Sequence, residues 1–147
     1  MRRLLYGGYY DDEFMDDTRL LFECIDTHQL TVICSDMVLK ELKVAPKRIR
    51  DIFKSIDDVE IYYMNKEFER LSGLYISEGA LSNKCLADAV HIAVATIFNA
   101  SAIVSWNFKH LVNFEKIKQY NVVNLREGYK MINIDQPKKI IASYGYY

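Results

Sequence analysis

The sequence contains few of the residues that break or bend a chain. Its 147 residues include only two prolines and six glycines, which argues against long linkers between separate units. It contains no internal repeat and no low-complexity tract. One domain is expected at this length, and we predict that it spans residues 1–147, with an irregular tail over 131–147.

A long apolar run is also missing. The longest nearly apolar stretch, Leu86 to Val104, is interrupted by Asp88, His91 and Asn99, so it does not have the character of a membrane span. The first ten residues are too short and too polar to resemble a secretory signal. We therefore predict a cytoplasmic protein that does not bind a membrane. The formal net charge of −1 gives no argument for nucleic acid from the chain as a whole.

Cysteine is scarce as well. Cys24, Cys34 and Cys85 are odd in number, lie among apolar residues and match no spacing that is typical of a metal motif. We expect them to be buried, reduced thiols, because free cysteine behaves as a small apolar residue.

Short β-branched runs alternate with segments of helical periodicity. This alternation predicts an α/β fold in which a mainly parallel sheet of four to five strands is covered by helices. The segment 65–79 has the clearest limits, because Asn65 can cap a helix and Gly79 can end it. The strands are predicted over 30–35, 59–64, 101–106 and 121–125, and the helices over 16–25, 36–44, 46–55, 65–79 and 83–99.

Asp88 carries the strongest chemical signal. We predict that it lies about five residues inside the helix over 83–99, where an ionised carboxylate is costly unless a metal, a cation or backbone donors offset its burial. A structural carboxylate bound by a neighbouring loop is an equally good interpretation. His91 lies on the same face and either binds a metal with Asp88 or is a core histidine with satisfied hydrogen bonds.

The predicted topology brings two further residues towards one edge of the sheet, since ligands of parallel sheets bind at the carboxyl ends of the strands. Glu41 follows the strand over 30–35 on an amphipathic helix, and its pattern alone fits a surface residue as well as a ligand. Asn107 directly follows the strand over 101–106. Asparagine commonly caps a helix there, and its side chain can also hold a metal-bound water or a phosphate.

Positive charge is concentrated between residues 40 and 54, where only Glu41 and Asp51 oppose it. A solvated helix face is the common interpretation of such a cluster, and contact with a nucleic-acid backbone is the alternative. The basic residues are Lys40, Lys43, Lys47, Arg48, Arg50 and Lys54.

Three segments together resemble PIN domains, and they are most similar to VapC-type toxins of bacterial type II toxin–antitoxin systems. The segments are "GGYYDDEF", "TVICSDMVLKELKVAP" and "CLADAVHIAVATIFNASAIVSWNFKHLVN", and the likeness covers roughly residues 7–125. The resemblance implies a three-layer α/β fold and a nuclease of the hydrolase class. It further implies a Mg²⁺- or Mn²⁺-dependent endoribonuclease, often a homodimer, that a cognate antitoxin protein inhibits.

The resemblance also assigns individual positions. Glu41 matches the second acid of the family and Asp88 the third, so both are expected to bind the metal, and Asn107 stands where many members have a fourth acid. The first acid is expected five residues before Gly7, and this count reaches Arg2. Arg2 is therefore predicted to be an altered first-acid position, where a guanidinium can neutralise the remaining carboxylates in place of a metal.

Three functions follow from these assignments. The first is a metal-dependent endoribonuclease, impaired by its incomplete acid set, that catalyses cleavage through Glu41, Asp88 and Asn107. The second is a catalytically inactive relative that binds RNA or an antitoxin, and the third is a subunit in which Asp88 is structural. A truncated first strand over 1–6 that pairs poorly is a second interpretation of the Arg2 position. The expected RNA-binding residues are Lys40, Lys43, Lys47 and Arg48.

Overall fold

Five parallel strands form a single sheet in this computed structural model, which describes residues 2–6, 23, 30–44, 47–55, 59–79, 85–100, 102–104, 113–135, 139 and 142. The strands are β1 (Arg2–Tyr6), β2 (Leu30–Ser35), β3 (Glu60–Tyr62), β4 (Ala102–Val104) and β5 (Ile134–Asp135). Their order across the sheet is β3-β2-β1-β4-β5, and every neighbouring pair is parallel.

Helices connect the strands and flank the sheet. They are α1 (Asp36–Val44), α2 (Lys47–Ser55), α3 (Lys66–Ser77), α4 (Leu86–Ile97) and α5 (Phe114–Arg126). The predicted α/β class and the parallel sheet flanked by helices are thus confirmed. No helix within the described ranges is both long enough and apolar enough to span a bilayer.

The limits of α3 follow directly from its sequence. The Asn65 side chain accepts a hydrogen bond from the Phe68 backbone N–H at 2.9 Å and so satisfies one of the free donors of the first turn. Gly79, which follows the helix, has a φ of +79°, a left-handed conformation that glycine adopts without strain. Between these ends Phe68, Leu71 and Tyr75 are buried at helical spacing.

The centre of the core is α4. Every residue from Ala89 to Thr96 is buried, because this helix contacts β1, β2 and β4 and also packs against α3. A helix that is apolar on nearly all sides can be stable only in such a position. The burial that the sequence predicted for this segment is confirmed.

Strand β1 lies in the middle of the sheet. Leu4 pairs with Val32 of β2 on one side and with Ala102 of β4 on the other. Residues 2–6 therefore do not form the poorly paired strand that was the second interpretation of this segment. The chain proceeds to one side of β1 through β2 and β3, and later to its other side through β4 and β5.

The strand predicted over 121–125 is wrong, since these residues belong to α5. Asn113 caps this helix by accepting a hydrogen bond from the Lys116 backbone N–H at 3.2 Å. The buried positions Tyr120, Val123 and Asn124 then fall on one helical face. A short run containing two valines does not distinguish a strand from a helix by periodicity alone.

Strand β5 lies where an irregular tail was predicted. Ile134 pairs with Ile103 of β4, and the preceding Ile132 is buried. The Asn121 side chain fixes this connection to α5, because it donates to the Ile132 carbonyl at 3.2 Å and accepts from the Ile132 N–H at 2.7 Å. The alternation of isoleucine with polar residues over 132–135 was the available signal for a strand.

Three buried polar side chains join α3, α4 and α5. The Tyr75 hydroxyl donates to the Asn124 side-chain oxygen, and the Asn124 amide donates to the Thr96 hydroxyl at 3.1 Å. The Tyr75 and Thr96 hydroxyls are 3.4 Å apart. Because all three residues are at most 3% exposed, each group depends on the others for its hydrogen bonds.

Replacing Asn124 by alanine is expected to lower the free energy of unfolding by about 2–3 kcal/mol, because it leaves two buried hydroxyls without their shared partner. Urea unfolding followed by circular dichroism measures the change. Asn133→Ala is the matched control, since Asn133 is exposed and is expected to change stability by less than about 0.5 kcal/mol. Equal effects of the two substitutions would contradict the role given to this network.

Candidate functional site

The carboxyl ends of all five strands lie on one edge of the sheet, because the strands are parallel. The strand order reverses between β1 and β4, and in open parallel sheets the crevice at such a point is the usual place for a ligand. Tyr6 ends β1 there and Val104 ends β4.

Ser35, the last residue of β2, makes two contacts at the carboxyl edge. Its hydroxyl oxygen accepts a hydrogen bond from the Met37 N–H at 3.2 Å and lies 3.5 Å from Nδ1 of His91. Ser35 is 0% and His91 1% exposed. His91 is therefore a core residue held by a hydrogen bond, which is one of the two interpretations that the sequence left open.

Asp88 lies in the first turn of α4, three residues before His91. The expected depth of about five residues is corrected, because α4 begins at Leu86 and not at residue 83. Asp88 is half-buried, and its position near the helix N-terminus favours a negative charge. Burial, and after it the charges of Asp88 and Cys85, raise the pKa of Tyr120, so the Asp88 carboxylate lies near a buried phenol of α5.

Asp36 is a further carboxylate at this edge, and it was not among the site residues predicted from the sequence. It follows Ser35 directly, and its Oδ1 is the one buried side-chain oxygen without a hydrogen-bond partner among the described residues. Burial, and after it the charge of Asp36, raise the pKa of the Cys34 thiol to about 12. An acid directly after a buried strand was the available sequence signal for this position.

Glu41 is placed by its backbone on α1, the sixth residue after the end of β2 and about 7.5 Å along the helix from Asp36. Its side chain lies outside what the structure describes. Helix α1 begins at the carboxyl edge and contacts both β2 and α4, the helix that carries Asp88. The helices of the two predicted acids are thus neighbours, and the role of Glu41 stays a prediction.

The basic residues occupy α1 and α2. Lys40, Lys43 and Lys47 are exposed, and the Lys47 ammonium lies 3.6 Å from the Asp51 carboxylate one turn away. The backbone of Arg48 belongs to α2, while its side chain lies outside the described part of the structure. The three lysines therefore form an exposed positive surface whose first helix starts at the carboxyl edge.

The structure does not bring Asn107 or Arg2 to the carboxyl edge among the described residues. Asn107 lies outside the described residues, a short distance in sequence after the end of β4 at Val104. Arg2 begins β1 and pairs with Leu30, the first residue of β2, so its backbone lies at the amino edge of the sheet. The carboxyl end of β1 is Tyr6, about 13 Å from Arg2 along the strand. The expected meeting of Arg2 with the carboxylates is therefore not supported by the backbone position.

A metal site is not complete within the described part of the chain. No group of three or more histidine, cysteine, aspartate or glutamate side chains in these ranges is close enough to hold an ion. The carboxylates of Asp36 and Asp88 fit a hard cation in kind, since both supply oxygen ligands. The ligand set that the sequence predicted additionally requires Glu41, whose side chain is not among those described.

The structure predicts a loss of stability at high pH. Burial raises the pKa of the Cys34 thiol from 9.0 to about 12. The protonated thiol therefore contributes fully to the free energy of unfolding below pH 9, and this contribution is lost as the pH rises from 9 towards 12. Between pH 9 and 10 the free energy of unfolding is expected to fall by about 1 kcal/mol more in the parent than in Cys34→Ala. Urea unfolding at both pH values tests this, and parallel changes in the two proteins would contradict it.

Comparison with known proteins gives likenesses among solved structures only. No family model and no curated protein sequence matches the chain. Among solved structures, it is similar to a chain in the crystal structure of VapBC2 from Rickettsia felis bound to a DNA fragment from their promoter. The two chains are 17% identical with a TM-score of 0.47, over 91% of this chain and 98% of the other. A likeness at this level carries no conclusion about function.

Proposed function

We propose that the chain is a PIN-type nuclease, a Mg²⁺- or Mn²⁺-dependent endoribonuclease that cleaves phosphodiester bonds of RNA. The position of Asp88 is the observation that supports this proposal. A rigid helix holds its carboxylate at the carboxyl edge of a parallel sheet, one turn before a histidine bound to the end of β2. An oxygen ligand on a rigid element at this edge is suited to binding a divalent cation.

The residues of the proposed site have two roles, cation binding and orientation of the attacking water. Glu41 and Asp88 hold the cation, and Asn107 orients the attacking water or completes the ligand shell. When bound, the cation supplies an activated water and neutralises charge on the phosphate in the transition state. Asp36, at the start of the helix that carries Glu41, has a buried carboxylate oxygen for which no hydrogen-bond partner is found among the described residues.

The RNA backbone is proposed to bind along the positive surface of Lys40, Lys43, Lys47 and Arg48. Helix α1 leads from the site to this surface, so a strand held there can present a phosphate to the carboxyl edge. The sequence resemblance further supports a cognate antitoxin protein and a second copy of the chain, in a homodimer, as partners.

The second candidate is a catalytically inactive relative that binds RNA or an antitoxin. One observation favours it. The resemblance expects the first acid on the first strand, and β1 contains no acidic residue. In this case the positive surface has the same role, while the carboxylates serve only the structure.

Asp88→Asn is expected to lower the rate of RNA cleavage in Mn²⁺ by about 100-fold or more, because the amide is a poorer cation ligand than the carboxylate. A fluorescent RNA substrate measures the rate. Glu115→Gln is the matched control, since Glu115 lies in the first turn of α5 and its side chain is 78% exposed. Thermal unfolding of both variants separates loss of activity from loss of fold.

The outcomes distinguish the two candidates. Cleavage that persists in Asp88→Asn would contradict the role of Asp88. Absence of cleavage in the parent, with RNA or antitoxin binding intact, supports the inactive relative.

Replacing Lys40, Lys43 and Lys47 by alanine is expected to weaken RNA binding and to flatten its salt dependence. Three lost phosphate contacts reduce the slope of log K against log salt by about 2 for a single strand. Fluorescence anisotropy at several salt concentrations measures this slope. Triple replacement of the exposed Lys66, Lys118 and Lys130 removes the same charge elsewhere. Equal slopes for the two triple variants would show that binding depends only on net charge.

A further inference from the structure

The Ser35 hydroxyl joins two helices at a single atom. Ser35 directly precedes α1, and by accepting a hydrogen bond from the Met37 N–H it caps the first turn of that helix. The same oxygen lies 3.5 Å from His91 Nδ1, which belongs to α4. Because Ser35 is 0% exposed, water does not compete for either contact.

The Ser35 hydroxyl can make both contacts at once, since it has one hydrogen to donate and two lone pairs to accept. It accepts from the Met37 N–H and bonds His91 Nδ1 as donor or as acceptor, according to which ring nitrogen carries the proton. In either case the bond joins the end of β2 to α4.

Packing alone does not fix the position of α4. The buried stretch from Ala89 to Thr96 is rich in alanine and aliphatic side chains, and apolar contacts have no preferred direction. A hydrogen bond is directional, so the bond to His91 restricts the rotation of the helix and its level against β2. Asp88 lies three residues earlier on the same face, about 4.5 Å along the axis, and is the ligand candidate nearest to this bond on the helix.

We propose that Ser35 is a positioning residue that sets the distance between the helix segments of Glu41 and Asp88. The inference rests on the proposed function of these two acids as cation ligands. One hydroxyl caps the helix of Glu41 and anchors the helix of Asp88, so its removal releases both segments together. Residues that orient ligands in this way typically change metal affinity by about 10- to 100-fold when they are lost.

Ser35→Ala tests the proposal with two independent readouts. Amide chemical shifts report whether the backbones near Glu41 and Asp88 both move, and a Mn²⁺ titration followed by electron paramagnetic resonance reports affinity. Both segments are expected to shift, and affinity is expected to fall about tenfold or more. Ser72→Ala is the matched control, because Ser72 is equally buried but its hydroxyl donates to the Glu69 carbonyl of its own helix.

Substitutions of His91, the partner of Ser35, test the same hydrogen bond. His91→Asn keeps a polar group that can donate or accept near the Nδ1 position and is expected to retain the shifts and most of the affinity. His91→Gln places its amide near Nε2 and is expected to behave like Ser35→Ala. Ser35→Thr keeps the hydroxyl and is expected to restore the parent behaviour. This set remains informative if one variant fails to fold.

The results separate this inference from the proposed function. Shifts confined to α1 in Ser35→Ala would overturn the inference, because Ser35 would then be only a helix cap. Failure of the parent to bind Mn²⁺ would overturn the cation role of Glu41 and Asp88. The amide shifts near Asp88 would still decide whether Ser35 joins the two helices.

Discussion

The structure depends on satisfying the polar groups of a helix that is buried on nearly every side. Within α4, His91 and Thr96 are surrounded by apolar residues, and each unpaired polar group there costs free energy. His91 is satisfied from the end of β2 and Thr96 from α5 and α3. His91 lies in the middle of α4 and Thr96 near its end, so one bond joins the middle of the helix to the sheet and the other joins its end to the outer helices.

Local signals in the sequence were sufficient for much of the fold. The cap at Asn65, the glycine at position 79 and the apolar character of residues 86–97 each depend on a few neighbouring residues, and each was predicted correctly. Helix α5 and strand β5 were not. The run over 121–125 fits a strand or a helix equally by periodicity, and the contact between Asn121 and Ile132, which joins α5 to the approach to β5, links residues eleven positions apart.

In the candidate site too, some residues could be predicted from the sequence and others could not. Residue types and strand ends indicated the region of Asp88 from the sequence, whereas the partner of His91 and the orphaned oxygen of Asp36 depend on which elements meet in space. Counting from Gly7 located Arg2 in the sequence but not in the sheet, because the count carries no information about strand register. Spacing along the sequence likewise does not show which helices pack together, so it cannot predict a side chain that acts through a neighbouring helix.

The place of β1 in the sheet has a consequence for synthesis on the ribosome. Strand β1 precedes all others in the sequence but lies in the middle of the sheet, so Leu4 obtains its second neighbour only when Ala102 has been made. Until then the nascent sheet has an open edge at its future centre, and such edges invite pairing with other chains. The nascent chain therefore needs shielding until β4 docks, and slow translation before residue 102 would prolong that need.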